Sequence, residues 1–188
     1  AHSMGAHGMI DAAFMSGAFS RLLLLDPTVM DPAAYREDYA SDFGDELHPA
    51  AKRRNVFTSV EDMQARLSAK SSFPLFLPKI LRDYSEYGLE QTDSGEYVLS
   101  CEPEVEAHVY MTALSNAAIY DSVRGLDIPV TIIRAKLPAE GAIGDFSSSP
   151  TWPGLVHEFP HAREIHWADC SHFIPMQRPD DVIALIED

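Results

Sequence analysis

Two residues in this sequence have the chemistry of a nucleophile and its base, Ser3 and His172. A serine hydroxyl is a poor nucleophile at neutral pH and needs a base within hydrogen-bond reach. Ser3 lies in Ala1-His2-Ser3-Met4-Gly5, a small-x-Ser-x-Gly spacing that suits a sharp strand-to-helix turn. The residues two before and two after the serine must be small in such a turn, because the strand and helix backbones nearly touch. Ala1 and Gly5 meet that demand. The turn would lift the Ser3 hydroxyl above a sheet edge and aim the Met4 N–H at the place where an oxyanion forms. His172 stands far along the chain in Cys170-Ser171-His172-Phe173-Ile174-Pro175.

Other reactive side chains have plainer readings. His2 lies inside the serine motif, where it could line the site, and a structural role is the expected one. His157 and His161 have metal-like spacing, but Pro160 interrupts them and no cysteine or carboxylate set joins them, so no metal is expected. His7, His48, His108 and His166 carry no assignment. The two cysteines, Cys101 and Cys170, lie far apart without a CxxC pair, which argues against a disulfide framework and suits core thiols. Trp152 and Trp167 are expected to pack. Lys52-Arg53-Arg54 reads as a solvated basic turn in an acidic chain.

These groups need elements to hold them. From Ser3 to Arg21 the chain is small and apolar, and Ile10, Phe14 and Ala18 form one helical stripe. Leu22 to Leu25, closed by Asp26-Pro27, reads as a fully buried parallel strand. Residues 27–125 differ in character, with helices expected over 31–40, 58–69, 74–87 and 102–123 and a hairpin around Asp93-Ser94-Gly95. Their dense aromatic and methionine side chains suit a local core, or an apolar pocket facing the serine turn. Strand character returns in Ile128 to Arg134 and again in Arg163 to Trp167, and a last helix begins at Pro179. Strand, helix and strand in this order imply an α/β fold with a doubly wound, mostly parallel sheet.

Composition sets outer bounds. The 188 residues suit one domain, or one domain with an insertion. Hydrophobic residues make up 46% of the chain, which fits a globular protein. The net charge of −15 argues against nucleic acid or an anionic membrane surface as a partner. No apolar run approaches the ~20 residues that span a bilayer. No secretory signal is visible, so a cytoplasmic location is expected, although the chain does not start like a native N-terminus.

A serine turn, a Leu-rich strand ending in Asp-Pro, a helical insertion, an Ile-Pro-Val strand and a final strand followed by Ser-His-Phe-Ile-Pro-Met come in one order. That order resembles the α/β-hydrolase superfamily, in its branch with a helical lid after the sixth strand. The resemblance implies a core of residues 1–26 and 126–188 and a lid over 27–125. It implies Ser3 as nucleophile, His172 as general base and Met4 as an oxyanion donor. The commoner form at the histidine is Gly-His, where this chain has Ser171-His172. The acid is left open between Asp26 and Asp145. The superfamily usually places it soon after the seventh strand, where this chain has no carboxylate. Asp145 fits that spacing when it is measured backward from Phe159-Pro160. Some members place the acid at the end of the sixth strand, where Asp26 stands. Glu140 is a more distant candidate.

The implied function is a serine hydrolase without a cofactor. Its substrate would be a small or medium apolar ester, lactone or related acyl compound, with carbon–carbon hydrolysis of a diketone as a close variant. Epoxide and haloalkane hydrolysis are disfavoured, because those relatives carry Asp at the nucleophile. The alternative is a ligand receptor or inactive scaffold on the same fold. Five strands precede the serine turn in this superfamily. The chain is therefore expected to be the C-terminal part of a longer polypeptide, to fold against the N-terminal part, and to leave the Leu22–Leu25 strand without one neighbour.

Overall fold

The structure is a computed structural model that describes residues 1–70, 72–139 and 146–187. The chain forms two compact units, Ala1–Tyr35 with Ala117–Asp188, and Arg36–Asn116. These limits fall inside the 27–125 stretch that the sequence marks as different in character.

The first unit is built on a parallel sheet. Helix α1 (Ser3–Ser16) precedes strand β1 (Leu22–Leu25). The buried stripe of α1 is Ala6, Ile10 and Ala13, not Ile10, Phe14 and Ala18. Phe14 is 45% exposed, and Gly17 ends the helix before Ala18 is reached. Gly17 adopts φ +60° and donates its N–H to the Ala13 carbonyl, a left-handed cap that glycine takes without a Cβ penalty.

The second unit begins with two single turns of 3-10 helix at Tyr39–Phe43 and Pro49–Lys52. Strand β2 (Val56–Phe57) and helix α2 (Val60–Ser68) follow. Next come helix α3 (Pro78–Tyr87), strands β3 (Leu89–Gln91) and β4 (Tyr97–Leu99), and helix α4 (Pro103–Thr112). The three strands form an antiparallel sheet in the order β2-β4-β3, so the expected hairpin gains a third strand. The Ser59 hydroxyl caps α2 by accepting from the Asp62 N–H. Met63, Leu67, Phe76, Leu81, Leu89, Leu99 and Ala107 form this unit's interior. Arg53 and Arg54 are ion-paired with Glu106 and Asp62, so the basic run is not simply solvated.

The chain returns to the first unit through helix α5 (Ile119–Gly125). Strands β5 (Val130–Ala135) and β6 (Ala162–Trp167) then complete a sheet of order β1-β5-β6. Both pairings are parallel. Helices α6 (Ile174–Gln177) and α7 (Pro179–Glu187) close the unit. One sheet face contributes Leu25, Ile133 and Ala135 to a cluster with Cys170, Ile174 and Val182. Leu24 and Ile132 alternate with these and are fully buried.

Two helix expectations change. Residues 31–40 hold no α-helix, only a turn of 3-10 helix at Pro32–Ala34 and the start of the one at Tyr39–Phe43. The Tyr35 backbone turns extended there, and its ring packs edge-on against Tyr120. Tertiary packing of the tyrosine outweighs a helix signal that rested on Asp31-Pro32. The expected helix over 102–123 is two helices, α4 and α5, with the limit of the two units between them. The expected vacancy beside β1 is also partly filled. Leu25 N–H donates to the Ala1 carbonyl at 2.8 Å, and His2 forms a parallel bridge to Leu25.

Candidate active site

Ser3 is the first residue of α1 and has φ +55°. That conformation is uncommon for a residue with a Cβ and is held by its surroundings at a cost of ~1–3 kcal/mol. The Ala1–His2 pairing with β1 holds the chain before it, and α1 holds it after. The N–H groups of a helix's first turn have no acceptor within the helix, so the Met4 N–H is available at this end. The steric reason for a small residue at Gly5 is not found among the described residues. A Cβ added at Gly5 or Gly8 would meet nothing within 4 Å.

The Ser3 Oγ lies 2.8 Å from His172 Nε2. His172 Nδ1 lies 2.7 Å from Asp26 Oδ2. The second oxygen, Asp26 Oδ1, accepts from the Ala135 N–H at 3.0 Å and the Ser149 hydroxyl at 2.5 Å, and at 3.2 Å it shares the Thr151 hydroxyl proton with the nearer Pro27 carbonyl, 2.7 Å from that hydroxyl. Asp26 is fully buried, and His172 is 2% exposed. A buried carboxylate needs this many donors to remain charged. An acceptor-only Asp26 requires the proton on His172 Nδ1. Nε2 is then free to accept from the Ser3 hydroxyl, the tautomer that general-base chemistry needs.

The elements explain the assembly. Asp26 follows β1 at the carboxyl edge of the sheet, and its N–H is bonded to the Ile133 carbonyl at 2.7 Å. β5 ends beside it at Ala135. The 170–173 loop after β6 brings in His172, and its N–H donates to the Phe146 carbonyl at 3.2 Å. The Phe146 ring stacks on the His172 ring, with centroids 5.2 Å apart and planes 25° apart. Among the described residues, three non-glycine residues have positive φ: Ser3, Asp26 and Phe146. Each of them contacts His172. Backbone strain is concentrated on one imidazole, as expected where geometry is held against local preference.

His2 also belongs to this cluster. Its Nε2 lies 2.8 Å from the His172 carbonyl, and the two rings are 4.7 Å apart. Burial, and next the neighbouring His172, lower the His2 pKa from 6.5 to about 4. Asp145 and Glu140 lie outside the described residues. Cys170 is a buried free thiol of the core, and Cys101 is exposed. His161 bonds to Asp127 at 2.9 Å. No group of three or more metal-ligating side chains occurs among the described residues. Trp152 packs edge-on against Tyr120, and Trp167 lies under the Arg178 guanidinium.

Sequence reasoning passed over Thr28, Ser149 and Thr151. The last two sit in a Ser- and Pro-rich loop, whose hydroxyls look like ordinary loop polarity. Only the strand pairing that brings this loop to Asp26 reveals them.

No protein-family model and no curated protein matches the sequence. Solved structures do match in fold. The peroxisomal α/β-hydrolase Lpx1 of Saccharomyces cerevisiae superposes with a TM-score of 0.70 at 17% identity, over 98% of this chain and 49% of that one. The fold is that of the α/β-hydrolases, in its C-terminal half. A thioesterase domain from the curacin biosynthetic pathway matches with a TM-score of 0.68 at 13% identity, over 100% of this chain and 63% of that one. An esterase of Mycobacterium tuberculosis matches at 0.63 and 20% identity, over 99% and 59%. The chain thus spans about half to two-thirds of the length of these structures. No helix among the described residues is long and apolar enough to cross a membrane.

Proposed function

We propose that this chain carries the nucleophile, base and acid of a serine hydrolase. The bond cleaved is an ester, lactone or related acyl bond, and the intermediate is an acyl-enzyme on Ser3. The observation that carries the reading is the unbroken chain of hydrogen bonds from Ser3 Oγ through His172 to Asp26. The esterase and thioesterase names of two fold neighbours agree with acyl-bond cleavage.

In the first half-reaction Ser3 Oγ attacks the acyl carbon and its proton passes to His172 Nε2. The carbonyl electrons move to oxygen, with the Met4 N–H as one donor to the oxyanion. The tetrahedral species collapses, the bond to the leaving alcohol breaks, and that alcohol takes the proton from Nε2. A water molecule repeats the sequence on the acyl-enzyme and releases the acid and Ser3. Asp26 stays ionised throughout, keeps His172 in the Nδ1–H tautomer and stabilises the imidazolium. The part of the neighbours' fold with no counterpart in these 188 residues would come from sequence outside them, together with a second oxyanion donor.

The test is labelling with a fluorophosphonate, followed by peptide mass analysis, alongside turnover of chromogenic esters. Labelling at Ser3 that disappears in His172→Ala, with ester turnover, supports the reading. A folded protein that neither labels nor turns over esters overturns it in favour of a non-hydrolytic receptor or scaffold.

A further inference from the structure

A second hydroxyl touches the nucleophile. Thr28 Oγ1 lies 3.2 Å from Ser3 Oγ, on the segment just after Asp26-Pro27. The proton count fixes the direction of this bond. Asp26 can only accept, so His172 Nδ1 carries a proton and Nε2 does not. Ser3 must then give its single hydroxyl proton to Nε2. What remains on Ser3 Oγ is lone pairs, so Thr28 is the donor.

Thr28 is held in place at two further points. Its N–H donates to the Ser3 carbonyl at 3.3 Å, and its carbonyl accepts from Nδ1 of the buried His7 at 3.0 Å. Both bonds tie the Thr28 segment to the first turns of α1, the element that carries Ser3.

Resting on the serine-hydrolase reading, we propose that Thr28 is a further catalytic residue, a donor to the reacting oxygen of Ser3. The bond holds Oγ in the rotamer that faces His172. It also opposes build-up of negative charge on Oγ at the two moments when that charge is largest. One is the removal of the Ser3 proton during attack. The other is the expulsion of Ser3 Oγ from the acyl-enzyme, when the C–Oγ bond breaks and His172 returns the proton. A donor placed before the reaction begins costs no reorganisation when the charge appears.

The test uses the intact polypeptide and the rate of Ser3 modification by a fluorophosphonate. In that reaction the Oγ–P bond forms, fluoride leaves and His172 takes the proton. Thr28→Val keeps the shape and removes the hydroxyl, whereas Thr28→Ser keeps the hydroxyl and removes the methyl. The expected result is about a tenfold slower modification for Thr28→Val, as for loss of one hydrogen bond to a developing charge. Thr28→Ser should stay within about twofold of wild type on the same scale. If valine disturbs the fold, Thr28→Ala against Thr28→Ser makes the same comparison of one hydroxyl. Equal rates for the variants with and without the hydroxyl overturn the role of Thr28 while leaving the serine reading intact. Failure of the wild type to label at Ser3 overturns both.

Discussion

His2 donates its Nε2 proton to the backbone carbonyl of His172, 2.8 Å away. A carbonyl offers no proton in return, so this bond exists only when Nε2 of His2 is protonated, and the depressed pKa keeps the ring neutral in that tautomer. The residue before Ser3 thus braces the backbone of His172.

The burial of His2 beside His172 has a pH signature. In the unfolded chain His2 takes up a proton as pH falls below about 6.5, while the folded protein resists it down to about 4. Between those values the unfolded state binds more protons, so stability falls as pH falls. The contribution is about 3 kcal/mol across the window, at ~1.4 kcal/mol per pH unit. Urea unfolding at pH 7, 5 and 4 should show wild type losing this much relative to His2→Gln. A constant gap between the two proteins would contradict the assignment.

Asp26→Asn should remove activity while leaving Ser3 in place. An amide at this position can donate to His172 Nδ1 and so favours the wrong tautomer for accepting the Ser3 proton. The expected loss in fluorophosphonate reactivity is on the order of a thousandfold to ten-thousandfold. A variant within tenfold of wild type would point to another carboxylate, with Asp145 the first to test.

Ser149→Ala and Thr151→Ala each withdraw a donor from the Asp26 oxygen that faces away from His172. A hydrogen bond to a charged group contributes ~1.5–3 kcal/mol, so Ser149→Ala should lose stability of that order and react more slowly, whereas Thr151, whose one proton lies nearer the Pro27 carbonyl, gives Asp26 only a shared bond. The Ser149 variant should be affected more, since its bond is the shorter one. Stability unchanged in both would mean that water replaces the hydroxyls.

Ser3→Gly and Ser3→Ala are both inactive in this reading but should differ in stability. Ser3 adopts φ +55°, which glycine takes freely and alanine does not. Thermal unfolding should find the glycine variant more stable than the alanine variant by ~1 kcal/mol. The reverse order would mean that the turn relaxes once the hydroxyl is gone.

Much of this arrangement is readable before any coordinates are known. The Leu22–Leu25 run and the β-branched run from Val130 read as strands because their apolar residues are continuous, as suits burial on two faces, and the structure pairs them in parallel. The serine motif and the isolated His172 stand out because few residue types can do their chemistry. Other features escape for a physical reason. Asp26 and Asp145 are both plausible in chain order, and no spacing rule weighs a carboxylate's hydrogen-bond partners. Thr28, Ser149 and Thr151 matter only through contacts across the fold. The α1 stripe shifts by a turn, because Ala6 and Ala13 are small residues that pack closely and carry little hydrophobic signal.

Asp26 also serves as a buckle. Its N–H reaches the Ile133 carbonyl, its Oδ1 takes the Ala135 N–H, and the hydroxyls of Ser149 and Thr151 close on the same oxygen. The residue that orients His172 therefore also fastens two strand ends and a loop. Chemistry and architecture draw on the same side chain, but Ser3 carries no comparable structural duty and its backbone is strained. Under the proposed serine-hydrolase function, a descendant that drifted away from catalysis should shed Ser3 early and keep Asp26 long afterwards. An aspartate retained here reports an intact fold before it reports a working enzyme.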